Sequence, residues 1–294
     1  MSENSQISIF NYPITDLVPY INWIYFFHAW GMEPRFAVIA EVHDCASCRA
    51  AWVATFATEE QVKAREAITL YDDAMALLKA WAGIPMCQAL FLLADANSEE
   101  DDIIINRHTH LPLLRQQQAN REGYTLCLSD FIRPITSGIT DKIGIFATTA
   151  HVPESNNPLL ASTLADRLAE ATAEKLHEEV RKHYWGYAKE EQFTMRELHE
   201  EQFQGIRPAV GYPSLPDQSI NFVIDRLLDF KKIGITLSTN GAMQPASSVS
   251  GLMISHPQAH YFAVGKISEE QLCDYSERRG ISIESLRYFL VNNL

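Results

Sequence analysis

Apolar and polar positions divide the chain into helices and short strand-like runs. Residues 14–30 are apolar and aromatic and predict a first helix, with Asp16 near its start and Gly31 as a stop. Residues 59–81 predict a second: Ala67, Leu70, Ala74, Leu77 and Trp81 fall on one stripe, and Gly83 ends it. Residues 89–94, 103–105 and 142–149 are short apolar runs that read as strands. Asn157-Pro158 then supplies an N-cap and a first helical residue. Beyond it Leu160, Leu164, Leu168, Leu176, Val180 and Tyr184 recur at multiples of four, so a long helix is expected up to Gly186. A charged helix is expected over 194–203. Pro208, Pro213 and Pro216 make 205–217 a stiff irregular loop. A helix over 218–232 leads to strands over 234–238, 249–255 and 260–267, and short helices over 268–279 and 282–291 follow. Strands spaced unevenly by helices imply an α+β fold: a twisted, mixed or mainly antiparallel sheet flanked by helices. With no repeat and no low-complexity stretch, residues 1–294 read as one domain.

Composition adds constraints. A chain of 294 residues, 47% hydrophobic and 21% charged, has ample material for a core. Acidic residues outnumber basic ones 37 to 24, a formal charge of −13. Such a chain repels phosphate backbones and anionic lipid, so neither nucleic acid nor a membrane is expected as a partner. The start, Met1-Ser2-Glu3-Asn4-Ser5, lacks the basic opening of a signal peptide. The most apolar stretch, residues 21–30, is too short to span a bilayer and contains Asn22 and His28. Five cysteines, an odd number, exclude a complete disulfide framework within one chain, and a reducing, cytoplasmic setting is expected.

Several residue groups carry possible chemistry. Cys45-x-x-Cys48 follows His43, but a structural zinc site wants four ligands and the sequence has no second C-x-x-C. These read as two ordinary thiols near a helix start. His108-x-His110 has a metal-like spacing without a carboxylate signature, and His177 and His183, six apart, do not share a helix face. No metal is assigned. G-x-G-x-x-G, G-x-x-x-x-G-K-[ST] and G-x-S-x-G are all missing, which disfavours a generic nucleotide enzyme or hydrolase. The run Arg207-Pro208-Ala209-Val210-Gly211-Tyr212-Pro213 combines a guanidinium, a stiffened backbone, a glycine and an aromatic ring. It suits a small ligand bearing a carboxylate and a flat ring. A surface loop with a structural salt bridge fits these residues too.

The motifs together resemble the C-terminal activation domain of cobalamin-dependent methionine synthase. The likeness starts at Asp16-Leu17-Val18-Pro19-Tyr20-Ile21-Asn22-Trp23 and runs through Leu128-Ser129-Asp130-Phe131 and Gly144-Ile145-Phe146-Ala147. It is dense from Leu164-Ala165-Asp166-Arg167-Leu168-Ala169-Glu170-Ala171 to Tyr184-Trp185-Gly186-Tyr187. It stays dense through Gln204-Gly205-Ile206-Arg207-Pro208-Ala209 and Gly211-Tyr212-Pro213, then resumes at Ser248-Val249-Ser250-Gly251 and Ser255-His256-Pro257. The R-P-A-x-G-Y-P loop followed by V-S-G and S-H-P is highly specific as a set.

The resemblance implies a domain that binds S-adenosylmethionine in a shallow groove at a sheet edge. Its methyl rescues cobalamin that has drifted to Co(II), once a flavodoxin-like or other reductant delivers an electron. By position, Arg207 matches the arginine that holds the methionyl carboxylate. Tyr261 matches a groove tyrosine, with Phe262 where the family often has a second. Ala209, Gly211 and Tyr212 lie in the matching loop, and Glu170 and Glu201 match acidic groove positions. Asn22 stands where the family usually has an aspartate; its amide can hydrogen-bond the ligand ammonium but carries no charge. No catalytic residue is assigned. The sequence has no corrinoid-binding D-x-H-x-x-G motif, so the cobalamin is expected on a partner: a corrinoid-binding methionine synthase lacking this domain, served in trans. Two alternatives stay open. One is an adaptor that docks a corrinoid protein without binding S-adenosylmethionine. The other is a small-molecule methyltransferase, disfavoured because no general base is identifiable beside a deep pocket.

Overall fold

The computed structural model describes residues 6–119 and 123–294. The polar start at residues 1–5, read above as lacking a signal-peptide pattern, lies outside them. The main sheet has six strands: β1 (Ser8–Tyr12), β2 (Cys87–Glu99), β3 (Asp102–Ile105), β4 (Thr109–Pro112), β5 (Asp141–Ala150) and, after a small ribbon of β6 (Thr236–Leu237) and β7 (Met243–Gln244), β8 (Ser248–Met253). All neighbours are antiparallel. β2 is central. Its first half pairs with β1 and its last residues with β3, while β5 runs along its other side and β8 lies beyond β5.

Both faces of this sheet are covered. Ala89 and Phe91 of β2 join one core cluster and Leu90, Leu92 and Ala94 another, as alternation along a strand requires. Burial on both sides explains why the strand runs are continuously apolar rather than alternating. The first face carries α1 (Ile14–Leu17), α2 (Trp23–Ala29), α3 (Ala46–Val53), α4 (Gln61–Ala80) and the long α5 (Pro158–Glu179). On α5, Leu160, Leu164, Leu168 and Leu176 are all buried, so the fourfold recurrence is the core face of a helix. Asn157 caps it by accepting from the Leu160 N–H at 3.2 Å. α6 (Met195–His199) follows α5. The second face is closed by α7 (Ile220–Leu228). α8 (Glu269–Arg279) and α9 (Ile283–Phe289) pack on each other over a third, smaller cluster containing Leu272, Tyr275 and Leu286. Among the described residues no helix is long and apolar enough to cross a membrane.

Several expectations are corrected. The single helix over 14–30 is two: α1 and a short 3₁₀ turn end at Tyr20, and α2 starts after Asn22. Pro19 cannot donate inside a helix and Asn22 caps a new one, so the chain turns between them. The helix over 218–232 is interrupted at Asp229, which adopts a left-handed conformation (φ 57°) before a 3₁₀ turn. The long helix closes in one π-helical turn over Val180–Tyr184. The strand over 234–238 shrinks to β6. Residues 260–267 form no strand; Phe262 and Val264 pack into hydrophobic clusters, and the backbone groups bond singly, Phe262 N–H to Ser214 Oγ, Val264 N–H to Pro213 O and Ile267 N–H to Asn293 O, rather than along one ladder. β1, the 3₁₀ segment Pro34–Glu41 and α3 are additional elements.

The free edge of β8 positions the loop that follows α6. Ile206 N–H donates to Ile254 O at 2.9 Å, Leu252 N–H to Pro208 O at 3.0 Å, and Val210 N–H to Ser250 O at 2.9 Å. Pro208 has no N–H to offer, which suits an outermost segment. The approach is close: a Cβ on Gly251 would lie 2.2 Å from Pro208 O. Gly205 opens the segment at φ +86°, where a Cβ would meet Ile254 O at 2.4 Å.

Candidate functional site

A cavity of about 610 Å³ opens where this edge segment, α5, the α1–α2 turn, α6 and residues 261–263 converge. That volume lies in the range of small-molecule sites. Eight of the nine sequence-predicted site residues line it: Asn22, Glu170, Glu201, Arg207, Ala209, Tyr212, Tyr261 and Phe262. Gly211 does not. It turns the loop at φ +87°, its N–H bonded to Leu215 O at 2.8 Å, and so aims Tyr212 at the cavity.

Arg207 is the buried cation of the site, with 8% of its surface exposed. Its Nη2 donates to Glu174, and its Nε is buried without a partner among the described residues. The guanidinium also lies 5.8 Å from the Phe146 ring centre. Burial works against its charge, but Glu174, Tyr261 and Glu170 more than offset this and hold its pKa above the ordinary value. Its backbone N–H donates to the Tyr261 hydroxyl at 2.9 Å. Burial pushes that phenol up to about 12, against the lowering pull of Arg207.

Carboxylates ring the arginine. The Tyr212 hydroxyl donates to Glu170 Oε1 at 2.7 Å. Glu201 sits just beyond α6 with φ 56°, a left-handed conformation that costs a non-glycine residue about 1 kcal/mol or more. Burial, then the nearby Glu174, raises its pKa although Arg207 pulls it down. Asn22 Oδ1 accepts from the Ile24 N–H at 3.1 Å, so the amide is already employed as the cap of α2 while facing the cavity. Ser214 clamps residue 262: its Oγ donates to Phe262 O and accepts from Phe262 N–H at 3.2 Å.

Sequence reasoning missed Glu174, Arg167, Tyr25, His199 and Ser214, which also line the cavity. Arg167, Glu170 and Glu174 follow at steps of three and four, the spacing of one helix stripe. The period that exposed the leucine face of α5 therefore marks this stripe too. His199 had no such signal: its Nε2 meets Tyr20 O at 3.2 Å only because α6 folds back on the α1–α2 turn.

A buried guanidinium with one spare Nε donor, neighbouring carboxylates and aromatic faces suit a ligand that carries a carboxylate, a positive charge and a flat ring. The comparisons agree with this geometry. Residues 13–280 match the family described as vitamin B12 dependent methionine synthase, activation domain. A solved structure described as the MetH reactivation domain bound to AdoHcy superposes with a TM-score of 0.85 at 34% sequence identity, covering 98% of this chain and 90% of that one. The edge-strand arginine loop, the carboxylate stripe of α5 and these matches lead to one conclusion: the chain belongs to the activation domain family of vitamin B12-dependent methionine synthase.

Proposed function

We propose that the chain binds S-adenosylmethionine in this cavity and presents its methyl group to cobalamin carried by a separate corrinoid-binding methionine synthase. The buried Arg207, which lines the cavity and keeps an Nε without a partner among the described residues, is the observation that carries the reading. The similar structure bound to AdoHcy, the same ligand without its transferable methyl, supports it. S-adenosylmethionine supplies an electrophilic methyl on a sulfonium. Arg207 takes the methionyl carboxylate. Glu170 and Glu201 favour the sulfonium and the α-ammonium by charge. Tyr261 and Phe262 offer ring faces to the adenine, and Ala209 leaves room beside them. The acceptor is cobalamin of the partner: one electron from a flavodoxin-like reductant converts Co(II) to Co(I), whose electron pair forms the new cobalt–carbon bond as the C–S pair returns to sulfur. The chain contributes proximity and orientation, and the downhill methyl transfer draws the reduction forward.

Calorimetry with S-adenosylmethionine is expected to show one site per chain. With a corrinoid-loaded methionine synthase lacking this domain and a low-potential reductant, the Co(II) absorption band is expected to give way to that of methylcobalamin; the chain alone transfers nothing. Binding without loss of the Co(II) band, with a cognate partner confirmed, overturns the reactivation role. Absence of binding leaves the adaptor reading.

Asn22 offers a finer test. Asn22→Asp retains the cap on α2, because aspartate is an equally good N-cap, and adds a negative charge facing the cavity. Binding of S-adenosylmethionine at neutral pH is expected to tighten by about 0.5–1 kcal/mol, roughly two- to fivefold, the scale of a partly exposed charge pair. Equal or weaker affinity in calorimetry would place the ammonium against Glu170 or Glu201 instead.

A further inference from the structure

We infer that His43, Cys45 and Cys48 form a binding site for a thiophilic d¹⁰ cation, zinc in the first place, with a fourth position open to water. Counting donors along the chain gives too few ligands for a closed structural site. Three is nevertheless the number in zinc sites that keep one position open. The fold brings the three together: one ligand atom from each lies within 4.8 Å of the others. Bonds of about 2.3 Å to sulfur and about 2.0 Å to nitrogen set ligand atoms about 3.5–3.8 Å apart around a tetrahedral ion. Closure therefore needs roughly 1 Å of side-chain motion, at residues that are exposed or half-buried.

The backbone is already arranged for it. Cys45 N–H donates to His43 O at 2.8 Å, a tight turn that sets the first two donors side by side. Cys48 N–H donates to Cys45 Sγ at 3.1 Å, fixing the sulfur that caps α3. The next residue, Arg49, reaches Asp72 of α4 at 2.6 Å and Asp44 at 3.1 Å, which ties the turn to the body of the fold. Two thiols and an imidazole are a soft donor set that suits zinc and excludes magnesium and calcium. None of the three lines the cavity around Arg207, so this site is separate from it. On binding, each ligating thiol releases its proton to solvent and no electron changes hands, so no oxidant or reductant is required.

The test uses the full chain, stripped of metal and kept reduced by a phosphine. Titration with Co(II) is expected to give one equivalent of a tetrahedral complex with a thiolate-to-cobalt charge-transfer band, and Zn(II) is expected to bleach it. Cys45→Ser and Cys48→Ser should each remove the band. His43→Ala should weaken binding by more than roughly tenfold, since even a residue that only supports a ligand is worth that much. Cys273→Ser, at an exposed thiol elsewhere, should leave the titration unchanged. Circular dichroism of each variant shows that the fold is retained. No band, or a band that survives Cys45→Ser, overturns the site. Unchanged affinity in His43→Ala does so as well, because it reduces the cluster to a thiol pair.

Discussion

Arg207→Ala is expected to weaken S-adenosylmethionine binding by about 1.5–3 kcal/mol, roughly 10- to 150-fold, the worth of a charge-assisted hydrogen bond to the ligand carboxylate. The substitution has a second consequence, visible only in the structure. Glu174 loses its partner inside a cavity that Glu170 and Glu201 also line. Part of any loss could then reflect a relaxed Glu174 rather than a missing contact. Arg207→Ala combined with Glu174→Gln separates the two. If the arginine holds the ligand, the double variant binds as poorly as the single one. Arg207→Lys keeps the charge but loses the planar fork, and is expected to fall between wild type and Arg207→Ala. Calorimetry of the three variants decides, with thermal unfolding as the check on folding. An Arg207→Ala protein that titrates like wild type overturns the assignment of the site.

Gly251→Ala is expected to damage both stability and binding, although Gly251 touches no ligand in the proposal. Its φ does not demand glycine; the restriction is steric. An added Cβ would lie 2.2 Å from Pro208 O, 2.9 Å from the Ala209 Cα and 3.0 Å from the Phe146 ring, and two of these are backbone atoms that cannot rotate away. Either the edge segment leaves β8, breaking the bonds of Pro208 and Val210, or β8 shifts against β5. Overpacking of this kind costs about 1–3 kcal/mol, and each kcal/mol lowers Tm by roughly 2–4 °C in a chain of this size. Since Arg207 and Ala209 ride on the displaced segment, affinity for S-adenosylmethionine should fall at least tenfold at a temperature where the variant is folded, about 1.4 kcal/mol. A wild-type Tm together with wild-type affinity would show that the segment is not held by its contact with β8.

These two positions also show what each level of description could reveal. The leucine recurrence from Leu160 onward was readable because α5 buries one face and exposes another, and a period of 3.6 follows from that geometry alone. The continuous apolar runs of β2 and β5 were readable as strands by the same logic, being short and covered on both sides. The run at 260–267 has the composition of a strand, but composition reports burial, not pairing. Only Val264 and Ile267 are buried and Phe262 is half-buried, while Tyr261 uses its hydroxyl to hold Arg207; the backbone N–H groups of Val264 and Ile267 donate to two separate segments, at Pro213 O and Asn293 O, so no ladder forms.

The sequence by itself determined the helical core face, the apolar strands packed against it, the acidic balance and, through the R-P-A-x-G-Y-P loop and its companion motifs, the family and eight of the eighteen residues that line the cavity. Those properties are local or recur within one element, so they survive being read along a line. Only the tertiary structure decided that Glu174 opposes Arg207, that Asn22 spends its carbonyl as a cap, that Gly211 shapes the loop without lining the cavity, and that His43 completes a donor set with Cys45 and Cys48. The physical reason is that such relations depend on distances across the fold or on the dihedral angles of a turn. Composition constrains neither, and packing against α4, α5 and β8 sets both.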